Sequence, residues 1–201
     1  MQHNRGILRQ AGVALRAMLV LTVVLGIGYT LVITGIGQII FPAQANGSLV
    51  RIDSKVVGSS LLGQSFTTAK GAALPQWFQS RPSAAGNGYD GGASSGSNYG
   101  PNSSTLVALI KARQKAIEKS DGVSLAQIPA DAVTASASGL DPDISPAYAL
   151  LQVDRVAKAR GLSVSEVKKL VESKIQGREL GYLGDPTVNV LELNIALTQL
   201  H

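Results

Sequence analysis

The chain contains no cysteine, so neither a disulfide framework nor a thiolate metal site is open to it. Its only histidines are His3 and His201, which leaves imidazole acid–base chemistry and imidazole metal ligation without an internal residue. Aromatic residues are scarce, at 4%, and none is interleaved with a basic cluster, so the stacking platform of a single-strand nucleic-acid binder is missing. No G-x-x-x-x-G-K-[ST] pattern occurs, which excludes a Walker-type phosphate cradle at the level of motif. The net charge of +5 is also less telling than it looks. Arg5, Arg9 and Arg16 precede an apolar run with no acid beside them, and removing them from the 18 basic residues leaves 15 against 13 acidic ones. The bulk of the chain is near neutral and carries no electrostatic footprint for nucleic acid.

What is present begins with Ala17–Phe41, 25 residues without a charge. As a helix they would extend about 37 Å, enough to cross a hydrocarbon core of about 30 Å with tilt. A secretory signal peptide is the alternative, and Ala43-Gln44-Ala45 fits its small-x-small cleavage pattern, but its apolar stretch would be only about 7–15 residues long. The expectation is a cytoplasmic basic tail at 1–16, a transmembrane helix at 17–41 and one extracytoplasmic domain at 42–201. The three arginines before the run, against the mixed Arg51, Asp53 and Lys55 after it, set that orientation. About 160 residues remain for the domain, the usual size for one core. Within the span, Thr22, Gly26, Thr30, Thr34 and Gln38 recur every four residues and predict a helix-packing face. The Gln38 amide requires a hydrogen-bond partner or a place near the headgroups.

The fold class expected after the span is α+β. Leu49–Ile52 and Val56–Phe66 read as strands joined by a turn at Asp53-Ser54-Lys55. A loop follows at 83–104, where 15 of 22 residues are Gly, Ser or Asn, a length that marks a functional or a disordered segment. It holds a formal G-x-G-x-x-G at Gly86–Gly91, with no strand leading in and no helix opening at its third glycine. Ser104 is expected to cap a helix to about Lys119 with Leu106, Leu109, Ile110 and Ile117 inward. Ser145-Pro146 opens a second helix to Gly161. A capping box at Ser163–Glu166 opens a third, with Val164, Val167, Leu170, Val171 and Ile175 inward and Gly177 as its stop. The last apolar segment, 188–200, has helical spacing, with a strand at 187–190 as the alternative for its beginning. Strands are expected near the start and middle of the domain.

Candidates for chemistry are few. Asp131, Asp141 and Asp143 could share acid–base work or a hard cation, but Asp-Pro-Asp before Ser145-Pro146 is the composition of a turn leading to a helix cap. Ser136 or Ser138 with a distant lysine could form a nucleophile pair, but no spacing singles either out.

Gly47-Ser48-Leu49, Gly58-Ser59, Leu61–Phe66, Trp77–Ala84, Gly96–Asn102, Val133–Ser145, Gln152–Arg160 and Gly184–Leu191 follow one another in that order behind one apolar span. With them the chain resembles the C subunit of the Kdp-type potassium-transporting ATPase. Departures are Ala137 for a usual glycine, Asp143 for a usual histidine, and Asn102-Ser103 for a usual Ser-Asn order. The motif residues taken from it in the soluble domain are Gln64, Phe66, Arg81, Pro82, Ser83, Asn98, Gly100, Pro101, Asn102, Ser136, Asp141, Gln152, Arg155 and Asn189. The resemblance implies a non-catalytic subunit in the plasma membrane of a prokaryote, with no catalytic residue or metal of its own. Its partners would be a potassium-selective channel-like subunit, a P-type ATPase subunit and a small membrane subunit. It would act as a catalytic chaperone that raises the ATPase subunit's affinity for ATP, any ATP being held through that subunit. An extracytoplasmic domain and a cytoplasmic nucleotide then require either a long-range effect through the span or a domain that is cytoplasmic after all. The 83–104 loop is the expected partner contact. A stand-alone anchored binding domain, for example for cell-wall material, and an anchored hydrolase are the competing classes.

Overall fold

The computed structural model describes residues 2–200, with side chains from residue 6; the side chains of His3, Arg5 and His201 lie outside the described residues. The chain divides into two compact units, Met1–Leu49 and Val50–His201.

The first unit is a helix in three parts: α1 (Gln2–Leu21), a π-helical segment (Thr22–Tyr29) and α2 (Thr30–Ile40). The basic segment expected as a tail is therefore helical and continuous with the apolar run. The stretch Gly6–Ile40, 35 residues, is long and apolar enough to cross a membrane and buries nothing within the protein. Gly26 and Gly28 lie in the π segment, and the Thr30 hydroxyl donates to the Gly26 carbonyl at 2.8 Å, a side-chain bond that competes with the regular ladder. In an α-helix a four-residue repeat over-rotates by about 40° per step. The wider π turn, closed by i→i+5 bonds, drifts in the opposite sense. Thr22, Gly26 and Thr30 span the π part while Thr30, Thr34 and Gln38 follow on α2, so the two drifts oppose each other and hold the five residues nearer one side than a uniform α-helix would. Phe41 leaves the helical region and Pro42 starts the short α3 (Pro42–Ala45). The Gln38 amide has its partner there: Asn46 Nδ2 donates to Gln38 Oε1 at 2.9 Å and to the Pro42 carbonyl at 2.7 Å.

The second unit is α+β. A hairpin of β1 (Leu49–Ile52) and β2 (Lys55–Ser59) turns on Asp53 and Ser54, both at positive φ, as a two-residue hairpin turn demands; Lys55 belongs to β2. The second strand was expected to continue to Phe66 but stops at Ser59. The Ser59 hydroxyl accepts from the Leu61 N–H, and Gln64 folds back to donate to the Val57 carbonyl at 2.8 Å, so side chains take over the backbone groups.

After a long irregular stretch come α4 (Ser104–Asp121), a 3₁₀ turn at Leu125–Gln127 and α5 (Ala130–Val133). The cap of α4 is Ser103, one residue before the expected Ser104, and the helix ends at left-handed Gly122 rather than at Lys119. The expected second helix is broken into α6 (Pro146–Leu151) and α7 (Val153–Arg160) at the fully buried Gln152, whose amide is engaged elsewhere. The third, α8 (Val164–Ser173), has its capping box but stops at Ser173. Ile175 lies instead in β4 (Ile175–Gln176), so Gly177 ends a strand and not a helix. The last segment is β5 (Thr187–Asn189) running into α9 (Val190–Leu197), as its spacing suggested.

β5 is the centre of a three-stranded antiparallel sheet, order β3-β5-β4, in which Val188 faces both Ile144 of β3 (Asp143–Ile144) and Ile175. Of its strands, β4 lies later in the chain than expected. The core gathers Phe78, Ile144, Val156, Val167, Val171, Val188, Val190, Leu193 and Leu197, each at most 2% exposed and worth roughly 1.5–3 kcal/mol for a large aliphatic side chain.

Candidate functional site

The irregular segment Leu74–Ser83 enters the core without forming a strand, so its backbone groups need partners. Side chains from α6–α7 and α9 supply them. Asn194 accepts from the Phe78 N–H at 2.9 Å and donates to the Phe78 carbonyl at 3.0 Å. Gln152 does the same for Gln79, at 2.6 and 3.2 Å. Two buried amides thereby act as a neighbouring strand would. Arg155 donates to the carbonyls of Pro75 at 2.8 Å and Trp77 at 2.9 Å, to Gln152 at 2.7 Å, and through Nε to Asp121 at 2.7 Å. Both members of that ion pair are about 95% buried. Arg160 donates to the Gln76 carbonyl and lies 4.3 Å from the centre of the Trp77 ring, itself beside Phe66.

Beyond this clamp the segment becomes the wall of a cleft of about 820 Å³. Gln79 to Ser83 form one side and Arg113, Ile117 and Asp121 of α4 the other. Arg81 is tied to Asp141 at 2.9 Å, and its Nε is buried with no hydrogen-bond partner. Tyr89 donates to the Arg81 carbonyl at 2.8 Å, and burial pushes its phenol up to about 12, so it remains a donor at neutral pH. Ser83 donates to the Gly139 carbonyl at 2.6 Å and accepts from the Tyr89 N–H. On α4, Arg113 donates to the Val133 carbonyl at 2.8 Å, and burial lowers its pKa.

The three aspartates border one small pocket of about 360 Å³ without grouping as metal ligands. Asp131 accepts from the Ser145 N–H and hydroxyl; Asp141 takes Arg81 and the Asp143 N–H. Asp143 has a buried oxygen without a partner, and burial, then Asp141 and Glu192, raise its pKa. Among the described residues no group of three potential metal ligands occurs. Ser136 accepts from the Gly139 N–H and Ser138 from the Leu140 N–H, so both serve a turn.

A family model described as "K+-transporting ATPase, c chain" (KdpC) matches residues 11–199. The chain belongs to the KdpC family. Similar proteins named "Potassium-transporting ATPase KdpC subunit" include those of Gemmatimonas aurantiaca, 54% identical over all of this chain and 94% of that one, and Caulobacter vibrioides, 53% identical over 92% and 90%. The Methylococcus capsulatus protein of the same name is 50% identical over 93% of this chain and 96% of its own.

The KdpC motif residues separate into four places. Gln64, Phe66, Gln152, Arg155 and Asn189 are scaffold: Asn189 caps α9 by accepting from the Glu192 N–H and donates to the Ser60 carbonyl. Arg81, Pro82 and Ser83 line the cleft, with Asp141 holding Arg81. Ser136 belongs to the turn that meets the 83–104 loop. Asn98, Gly100, Pro101 and Asn102 are exposed and lie in the approach to α4. Sequence reasoning missed Asn194, Arg160, Asp121 and Tyr89. A buried Asn inside an apolar helix was the one visible signal, because a core amide demands a partner.

Proposed function

We propose that the chain is a non-catalytic subunit of an ATP-driven potassium uptake complex, held in the plasma membrane by the Gly6–Ile40 helix. The observation that carries this reading is the family match across 11–199, supported by relatives about half identical over nearly their whole length. The partners are a potassium-selective channel-like subunit, a P-type ATPase subunit and a small membrane subunit. The arginine-rich N-terminus lies in the cytoplasm and the α+β domain outside, following the excess of positive charge before the span.

In this reading the helix docks on the potassium-selective subunit through Thr22, Gly26, Thr30, Thr34 and Gln38, where small side chains allow close backbone approach. The domain sits over that subunit's outer mouth, and sharing a membrane makes the docking nearly intramolecular. The subunit raises the ATPase subunit's affinity for ATP through the span, by favouring a conformation of the complex that binds nucleotide better.

Affinity purification of the tagged chain from mild-detergent membranes of potassium-starved cells tests the assembly. Recovery of a P-type ATPase subunit and a channel-like subunit in fixed ratio is expected. Recovery of the chain alone, while other membrane complexes survive, would favour the stand-alone binding domain. A KM for ATP that is the same in complexes with and without the chain would refute the chaperone role. A C-terminal reporter active only in the cytoplasm would reverse the orientation.

A further inference from the structure

The cleft between Gln79–Ser83 and α4 has a charge pattern that its structural role leaves unused. Three cationic side chains line it, Arg81, Arg113 and Lys119, against one carboxylate, Asp121. That carboxylate is already neutralised by Arg155 at 2.7 Å, as Arg81 is by Asp141 at 2.9 Å, so the unpaired positive charge of the cleft is that of Arg113 and Lys119. Among the described residues neither Arg113 nor Lys119 takes part in an ion pair. Arg81 keeps a buried Nε–H with no acceptor, a deficit that a bound oxyanion could relieve. At about 820 Å³ the cleft falls in the range of small-molecule sites, roughly 300–1,000 Å³, and is larger than a single inorganic ion fills.

A second pocket of about 360 Å³, also bounded by Arg81, has the opposite polarity, since Asp131, Asp141 and Asp143 line it. An anion is therefore repelled from the smaller pocket and drawn to the larger. We propose that the larger cleft is a binding site for a small multivalent oxyanion, a di- or tricarboxylate or a phosphate-bearing solute, held by Arg81, Arg113 and Lys119. Guanidinium forks suit both carboxylate and phosphate oxygens, and Lys119 adds an exposed point charge at the cleft's edge. The proposal is independent of which subunits the chain assembles with.

Titration calorimetry on the full chain in detergent at low ionic strength tests it, with citrate as the carboxylate probe and inorganic pyrophosphate as the phosphate probe. One-to-one saturable binding of at least one probe is expected, and the tighter of the two tells the classes apart. Lys119→Gln should weaken binding about tenfold, the loss of one charge-assisted hydrogen bond. Arg113→Gln should weaken it at least as much while Arg113→Lys retains most of it. Lys168→Gln, on the exposed face of α8, should change nothing. Because Arg113 also holds the Val133 carbonyl, the exposed Lys119 is the decisive position, and unchanged Trp77 fluorescence certifies its fold. Binding of neither probe, or equal loss in Lys119→Gln and Lys168→Gln, overturns the site.

Discussion

Residues 60–103 and residues 104–197 reach order by different means. The later region satisfies its own backbone with helices and a three-stranded sheet, and its core is aliphatic. The earlier one has no helix and no strand beyond an isolated Thr67–Ala73 bridge, yet Phe78 and Ala85 within it are fully buried. Its main chain is completed by the other region, through the side chains of Asn194, Gln152, Arg155 and Arg160 on one stretch and through the Ser138 carbonyl, which accepts from the Ser95 N–H, on the next. Irregular backbone can therefore be as rigidly placed as a strand where each buried N–H and C=O has a partner, and it fails abruptly when one partner is lost.

The severest test of that contrast is Arg155→Ala, which leaves Asp121 buried without its ion-pair partner, strips the Pro75 carbonyl of its donor and leaves the Trp77 carbonyl with the Gln79 amide alone. About 3–5 kcal/mol of destabilisation is expected, read as a fall in the thermal midpoint of the detergent-solubilised chain. Trp77, the sole tryptophan, should report early loss of its own segment. A midpoint shift as small as that of a surface substitution would dissolve the distinction between the two regions.

Asn194→Ala removes both bonds to Phe78 but no charge, and about 1–3 kcal/mol should go with it. Gly139→Ala probes the other weld: Gly139 has φ +68°, and a Cβ there would come within 2.7 Å of the Ala85 N and the Ser95 carbonyl oxygen. A loss of about 1–3 kcal/mol is expected for that strain, with faster proteolysis at 83–104 and an unaltered Trp77 signal; a changed signal would mean the two stretches are one cooperative piece.

Asp143 supplies a pH dependence of the less usual sign. Its carboxyl is raised in the folded state, so the fold holds that proton more tightly than the unfolded chain does. Its contribution is favourable in acid, and stability is lost as pH climbs from the unfolded value through the folded one. Asp143→Asn should flatten that decline in midpoint-versus-pH scans and raise stability modestly at neutral pH; a steeper decline would overturn the assignment. The smallest effect belongs to Asn102→Ala, exposed and outside the clamp, which should stay within about 0.5 kcal/mol.

Much of this was legible in the amino-acid order. The apolar span, the Ser145 and Ser163 caps, the left-handed stop at Gly161 and the helical spacing of Val190, Leu193 and Leu197 are local signals, and local physics enforces them. The places where reading failed are those where distant side chains intervene. Gln152 breaks a helix because its amide serves Gln79, 73 residues away. Ile175 leaves a helical pattern because Val188 offers a strand to pair with. The long Gly/Ser/Asn loop divides in the same way: its first part is seated against Gly139 and Ser138, while Asn98–Asn102 stays exposed.

For the site, the motif Gln79–Ser83 was visible but its partner wall was not. Arg113 and Lys119 look in sequence like solvated helix charges, and only packing brings them opposite Arg81. The amino-acid order by itself determined family membership, the long apolar helix and most helix starts, because these depend on composition, periodicity and neighbours within one turn. Only the tertiary structure decided which polar residues are scaffold and which line a cleft, because a buried hydrogen bond depends on where two remote segments meet, and no local pattern encodes that meeting.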